Sequence, residues 1–167
     1  MFPYIHKMDL ERFASDAISK KPGFQKFISK IKRKRTAHLD DLFHALHEEV
    51  FEEVDCLACA NCCKTTSPIF ISADIDRISR FLKVKPSAFT EEYLKIDNEG
   101  DYVLKSSPCA FLGADNYCSI YEARPRACRE YPHTNRKKMH QILDLTMRNT
   151  QVCPAVLQIV ERLEKVI

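Results

Sequence analysis

A chain of 167 residues with 45% hydrophobic and 29% charged content can bury a core without covalent staples, and it carries no low-complexity tract or internal repeat. Glycine occurs only at Gly23, Gly100 and Gly113, which excludes the GxGxxG and GxxxxGK(S/T) loops that cradle dinucleotides and phosphates and argues against ATP, GTP and NAD chemistry. No segment approaches the roughly 20 apolar residues of a membrane span, and the opening MFPYIHKMDL lacks the basic start and long apolar run of a secretion signal, so a soluble, cytoplasmic protein is expected.

The first third reads as helix. Asp9 caps a short segment to about Lys20, Pro22-Gly23 breaks it, and Phe24, Phe27, Ile28 and Ile31 recur at helical spacing in a second. A third helix is expected from Thr36, with an apolar stripe of Leu39, Leu42, Phe43, Leu46, Val50 and Val54. Pro68 to Ile71 suggests a brief strand. Ser72 is placed as the cap of a helix that buries Ile75, Ile78 and Leu82. Pro86-Ser87 starts another short helix through Tyr93-Leu94, and Asn98 to Asp101 makes a turn. Tyr102 to Leu104 and Tyr117 to Tyr121 are the remaining strand candidates. Pro154 opens a terminal helix whose apolar face is Val156, Leu157, Val160, Leu163 and Val166. The fold class expected is mainly helical α+β: one domain over 1–167, with an N-terminal helical segment over 1–55 and a small cysteine-rich, metal-binding core with short strands over 56–167.

Four cysteines stand within eight residues, at Cys56, Cys59, Cys62 and Cys63, and four more follow at Cys109, Cys118, Cys128 and Cys153. In a reducing compartment such thiols read as metal ligands before disulfides. A Cys-x-x-Cys turn lets two thiolates bind one metal, and both Cys56/Cys59 and Cys59/Cys62 have that spacing. Side chains of the adjacent pair Cys62 and Cys63 diverge, so the pair serves two metals or two edges of one cluster. Eight cysteines suit two four-thiolate sites; the grouping expected puts Cys56, Cys59 and Cys62 with one later cysteine, and Cys63 with the other three. Zinc in four thiolates would be structural, because no position stays open for water or substrate. A [4Fe–4S] cluster takes a Cys-x-x-Cys-x-x-Cys run plus a remote Cys-Pro, here Cys153-Pro154, and iron–sulfur is preferred on that ground. The run departs from bacterial ferredoxin in having Thr66 four residues after Cys62.

These residues resemble the CxxCxxCC, or YkgJ-like, cysteine-cluster family of zinc- or iron-chelating domains. The resemblance rests on CLACANCC at 56–63, ISADIDRISRFL at 71–82, PCAFLGADNYCSIYEARPRACREYP at 108–132 and Cys153-Pro154, about two-thirds of the chain, and it implies a bacterial metal-binding protein with all eight cysteine positions filled. One branch of that family is linked to lysine N-methylation of flagellin, but this chain has no recognisable methyl-donor loop.

The remaining features are weighed between site and scaffold. Arg124, Arg126 and Arg129 either tune the metal centre through hydrogen bonds towards sulfur or pair with Glu122 and Glu130 to fix the fold around Cys128. Asp40, His44 and His47 are read as the solvated face of a helix rather than a metal site, and His133 or His140 as possible substitutes for a thiol ligand. The run Lys30 to Arg35 lacks interleaved aromatics and is read as a solvated helix end, so nucleic acid is not an expected partner. Three functions follow: an electron-transfer or redox-sensing iron–sulfur protein with a protein redox partner, a zinc-stapled interaction module, or an enzyme with Cys62 or Cys63 as nucleophile beside Lys64.

Overall fold

The computed structural model describes residues 9–34 and 36–167. The opening residues 1–8 and Arg35, which ends the basic run, lie outside them. In chain order the helices are α1 (Leu10–Lys34), α2 (Leu39–Glu53), α3 (Cys56–Cys59), α4 (Asn61–Thr65), α5 (Ser72–Leu82), α6 (Pro86–Tyr93), α7 (Arg126–Glu130), α8 (Leu143–Asn149) and α9 (Pro154–Val166). Short 3-10 turns lie at Tyr121–Ala123 and Met139–Gln141. One antiparallel pair, β1 (Leu94–Ile96) with β2 (Tyr102–Leu104), is the sheet, in the register Leu94↔Leu104 and Ile96↔Tyr102. The protein is therefore mainly helical α+β. Among the described residues no helix is long and apolar enough to cross a membrane.

The described residues fall into two compact units: those up to Cys59 together with Pro132–Ile167, and Ala60–Tyr131. The first is a helical bundle in which α2 packs on α9, and α1 on α8 and α9. Phe43, Val50, Leu143, Val156, Ile159, Val160 and Leu163 form its buried interior. Asp9 caps α1 as expected, its Oδ1 accepting the Arg12 N–H at 2.9 Å, but Pro22-Gly23 does not break the helix. Proline costs about 3 kcal/mol in a helix interior, whereas burying each of Phe24, Phe27, Ile28 and Ile31 on the face begun by Phe13 and Ala17 returns roughly 1.5–3 kcal/mol. Gln151 Nε2 donates to the Ala17 carbonyl at 2.9 Å, one turn before the proline. α2 starts at Leu39 rather than Thr36, because His38 takes a left-handed conformation (φ 56°) that helix cannot continue through.

In the second unit α5 packs on α6 and on the Tyr121–Ala123 turn, and α6 on β1. Phe70, Ile75, Ile78, Phe89, Leu94, Leu104, Phe111, Ile120 and Ala123 form one core, with the Phe89 and Phe111 rings stacked at 6.1 Å. Several expectations are corrected. The segment 68–71 contributes only a single bridge, Phe70 to Tyr102, and Tyr117–Tyr121 only the bridge Leu112 to Cys118 before the chain turns into 3-10 helix. Ser72 is the first residue inside α5; the cap is Ile71, whose N–H donates to Asp74 Oδ2 at 3.3 Å. α6 ends at Tyr93, and Leu94 already belongs to β1. The turn at 98–101 closes the hairpin, with Gly100 at φ 88°, where a side chain is strained.

Candidate metal centre

Cys62 and Cys63 lie inside α4, and Cys56 and Cys59 are the ends of α3. The run thus sits in short helical turns rather than in loops. Ala60, buried and left-handed at φ 49°, precedes α4. The Thr66 N–H and Oγ1 both donate to the Cys62 carbonyl, at 2.9 and 2.8 Å, and end α4 there. Two residues of another loop then come to Cys63. The Cys109 N–H donates to the Cys63 carbonyl at 2.9 Å, and the Leu112 to Cys118 bridge returns the chain beside Cys109. In the turn between them a Cβ on Gly113 would stand 2.6 Å from Asp115 Oδ1 and displace the oxygen that accepts the Tyr117 N–H at 3.0 Å. Cys109 and Cys118 pack against the core of this unit.

Cys128 is carried by α7, whose position is set by a buried carboxylate. Asp74 Oδ1 accepts the Arg126 N–H at 3.0 Å and pairs with Arg77 Nη2 at 2.5 Å. Arg77 also donates to the Arg124 carbonyl at 2.8 Å and the Ala123 carbonyl at 3.3 Å. The sequence reading missed this pair; the signal was an acid and an arginine one helical turn apart on the face of α5 that carries Ile78.

The four thiols of this unit, Cys63, Cys109, Cys118 and Cys128, act on one another. The side chains of Cys62 and Cys63 do not diverge as expected: a hydrogen bond between them pushes the Cys63 thiol up, followed by burial and the charge of Cys62. Burial raises Cys109 and Cys118, and negative charge on Cys63 raises both further. Burial pushes Cys128 up to about 12, helped by Cys63, Cys109 and Cys118. Lys64 and Arg124 pull Cys63 the other way, and Arg124 does the same at Cys118 and Cys128.

In the first unit Asp55 caps α3, its Oδ1 accepting the Leu57 N–H at 2.8 Å. Cys153 is buried at the start of α9. Burial pushes its thiol up to about 12, and charge on Cys56 and Cys59 raises it further. Backbone N–H groups oppose this at three of the cysteines: Val156 and Ala155 at Cys153, Phe111 and Leu112 at Cys109, and Ile120 at Cys118. Donors two and three residues ahead of a sulfur favour its thiolate form.

The other sequence candidates divide. Arg124 lies with its guanidinium 3.7 Å from the centroid of the Tyr121 ring. Arg126 pairs with Glu130 at 2.6 Å on the exposed face of α7, and Arg129 is exposed beside it. The polar row of α2 packs against the segment 134–139 and is not simply a solvated face. Asp40 accepts the Lys138 and Met139 N–H groups at 2.6 and 2.8 Å, His44 Nε2 bonds the Arg136 carbonyl at 2.9 Å, and His47 Nδ1 bonds Thr134 Oγ1 at 2.8 Å. His140 lines an open cleft with His38 and Asp40, and His133 is left-handed at φ 68°.

None of the eight cysteines is in a disulfide. Among the described residues no three Cys, His, Asp or Glu side chains form a ready-made metal site. The donor set nonetheless suits a thiophilic metal: sulfurs within reach of each other's charge, backbone N–H groups directed at them, and a buried Arg124 Nε with no hydrogen-bond partner. A family model described as CxxCxxCC, "Putative zinc- or iron-chelating domain", matches residues 55–154. No curated protein and no solved structure matches the chain.

Proposed function

The chain belongs to the CxxCxxCC family of zinc- or iron-chelating domains, and from that membership we propose that all eight cysteines are metal ligands, that the preferred centre is iron–sulfur, and that its role is electron transfer or the sensing of oxidant. Cys63, Cys109, Cys118 and Cys128 hold one centre. Cys56, Cys59 and Cys153 supply three more thiolates, and Cys62 is the eighth ligand by its place in the run. The observation that carries this reading is the gathering of Cys63, Cys109, Cys118 and Cys128 in one compact unit, with the Cys109 N–H bonded to the Cys63 carbonyl; backbone N–H groups beside Cys109, Cys118 and Cys153 add to it by favouring a negatively charged sulfur. A metal supplies the positive charge that lets mutually repelling thiols lose their protons.

For iron–sulfur speak the Cys-x-x-Cys-x-x-Cys run and Cys153-Pro154. Such a centre, when bound, supplies one-electron chemistry and calls for a protein redox partner, and a reducing cytoplasm suits its thiolates. A second reading, a structural zinc staple, is supported by Cys109 and Cys118 packing directly on the unit's core, where a closed four-thiolate ion would tie loop to core. A nucleophilic role for Cys63 is less well supported, because its hydrogen bond with Cys62 and its burial push the thiol up whereas a nucleophile needs the thiolate.

The test is metal and acid-labile sulfide content, with a visible spectrum, on protein purified without oxygen. Iron with matching sulfide is expected, and C63S and C128S should each remove one centre's share. Stoichiometric zinc without sulfide would replace the redox role by the staple. Unchanged metal content in both variants would refute the four-cysteine grouping.

A further inference from the structure

Arg124 is distinguished from its two arginine neighbours by what it lacks. Arg126 spends its Nε on Glu130 at 2.6 Å and Arg129 faces solvent, but Arg124 Nε is buried with no hydrogen-bond partner. A buried charged donor left unmatched is destabilising, so a folded chain keeps one where something is to accept from it. The guanidinium is also held in place. Its plane lies over Tyr121 at 3.7 Å, Tyr121 rests against Tyr117 at 5.9 Å, and the backbone of Arg124 is anchored by the Arg77 donor at 2.8 Å. Ala123, the preceding residue, belongs to the core against which Cys109 and Cys118 pack.

We infer that Arg124 is the built-in counter-cation of the four-cysteine centre, its Nε–H donating to a metal-bound thiolate of that centre; the inference rests on the metal reading above. Four thiolates around a dication carry a net charge of −2, which a partly buried site tolerates poorly unless a fixed positive charge stands beside it. Arg124, next to Ala123 of the core on which Cys109 and Cys118 pack, supplies that charge. By drawing electron density from the sulfur it binds, it raises the energy of sulfur-to-metal charge transfer and slows loss of the metal.

The experiment uses the full chain titrated with Co(II) alone, without oxygen, following the thiolate-to-cobalt absorption. The signal of this centre is the portion that C63S abolishes. R124Q is expected to weaken Co(II) binding at that portion by about 10–100-fold and to move its charge-transfer band to longer wavelength, while R126Q and R129Q leave both within about twofold. R124K keeps the charge without the Nε donor and should fall between. Y121L keeps the arginine and removes its shelf, and should shift affinity in the direction of R124Q; these two variants carry the test if R124Q does not fold. Unchanged affinity and band position in R124Q, or in both R124K and Y121L, with the C63S-sensitive signal intact, overturns the role of Arg124 and leaves the centre standing. No thiolate–Co(II) absorption in the parent chain, or a signal indifferent to C63S and C128S, overturns the centre and this inference with it.

Discussion

With only 1% of its surface exposed, Asp74 accepts N–H groups from Ile71 and Arg126 and pairs with Arg77. One carboxylate therefore starts α5, seats α7 and fixes the arginine that anchors residues 123 and 124. Removing its charge leaves Arg77 half-desolvated and unpaired, and breaking a buried pair costs about 3–5 kcal/mol. Because Arg77 keeps 28% of its side chain exposed, D74N should destabilise the metal-free protein by less, about 2–3 kcal/mol. Urea unfolding measures this. The double variant D74N/R77M should recover part of the loss, since no orphan charge remains, and equal or greater loss in the double variant would show that the pair is not the cause.

Helix α2 shows how an element's polar face can be misjudged from sequence. Its apolar stripe is legible: Leu39, Phe43, Leu46 and Val50 are all buried. Its polar row Asp40, His44 and His47 has helical spacing that suits water, a metal or a neighbouring loop equally, and only the fold brings residues 134–139 against it. The pH response follows from that contact. His47 is lowered, first by burial and also by His44, so its contribution to stability is complete above the unfolded histidine pKa of about 6.5 and is lost as pH falls below it. Asp40 is raised by burial but lowered more by the N–H groups of Met139 and Lys138, a net lowering, and its contribution is lost only at lower pH, within the carboxylate range. The urea midpoint of the metal-free protein should therefore drop between pH 7 and pH 5, and H47Q should flatten that drop. An identical slope in H47Q would assign the response elsewhere. Pro22 misled for the opposite reason: its local preference is strong and readable, yet the apolar face running through it is stronger. β1 and α8 went unseen because three and seven residues carry too little periodicity to register. Where pattern and propensity agreed, as for α9 with Pro154 at its first turn and Leu163 fully buried, the reading held.

For the molecule as a whole, the cysteines dominate the charge. The formal net charge is +3 with neutral thiols; under the proposed function, eight thiolates holding two dications would contribute a net −4 and take it to about −1. Metal loading should lower the isoelectric point from the 8.4 of the thiol form to near or below neutrality. Native isoelectric focusing of metal-loaded and metal-free protein checks this, and an unmoved band would mean that the thiols keep their protons. The cysteine count and the run were plain in the sequence, and so was the chemistry they imply. The sequence expected Cys63 to join three later cysteines; which later cysteine stands apart, Cys153, was not legible, because the nearness of Cys109 to Cys63 depends on a backbone bond between them and the place of Cys128 on Asp74 holding α7, both contacts made across tens of residues.

The first unit is discontinuous in sequence, since its described residues up to Cys59 are completed by Pro132–Ile167. During synthesis α2 leaves the ribosome roughly a hundred residues ahead of α9, a delay on the order of 5–20 s at ordinary elongation rates. For that interval the stripe of Phe43, Leu46 and Val50 has no helix to cover it, while residues 60–131 and five of the eight thiols emerge. The nascent chain is thus most exposed to aggregation and to oxidants in the same few seconds.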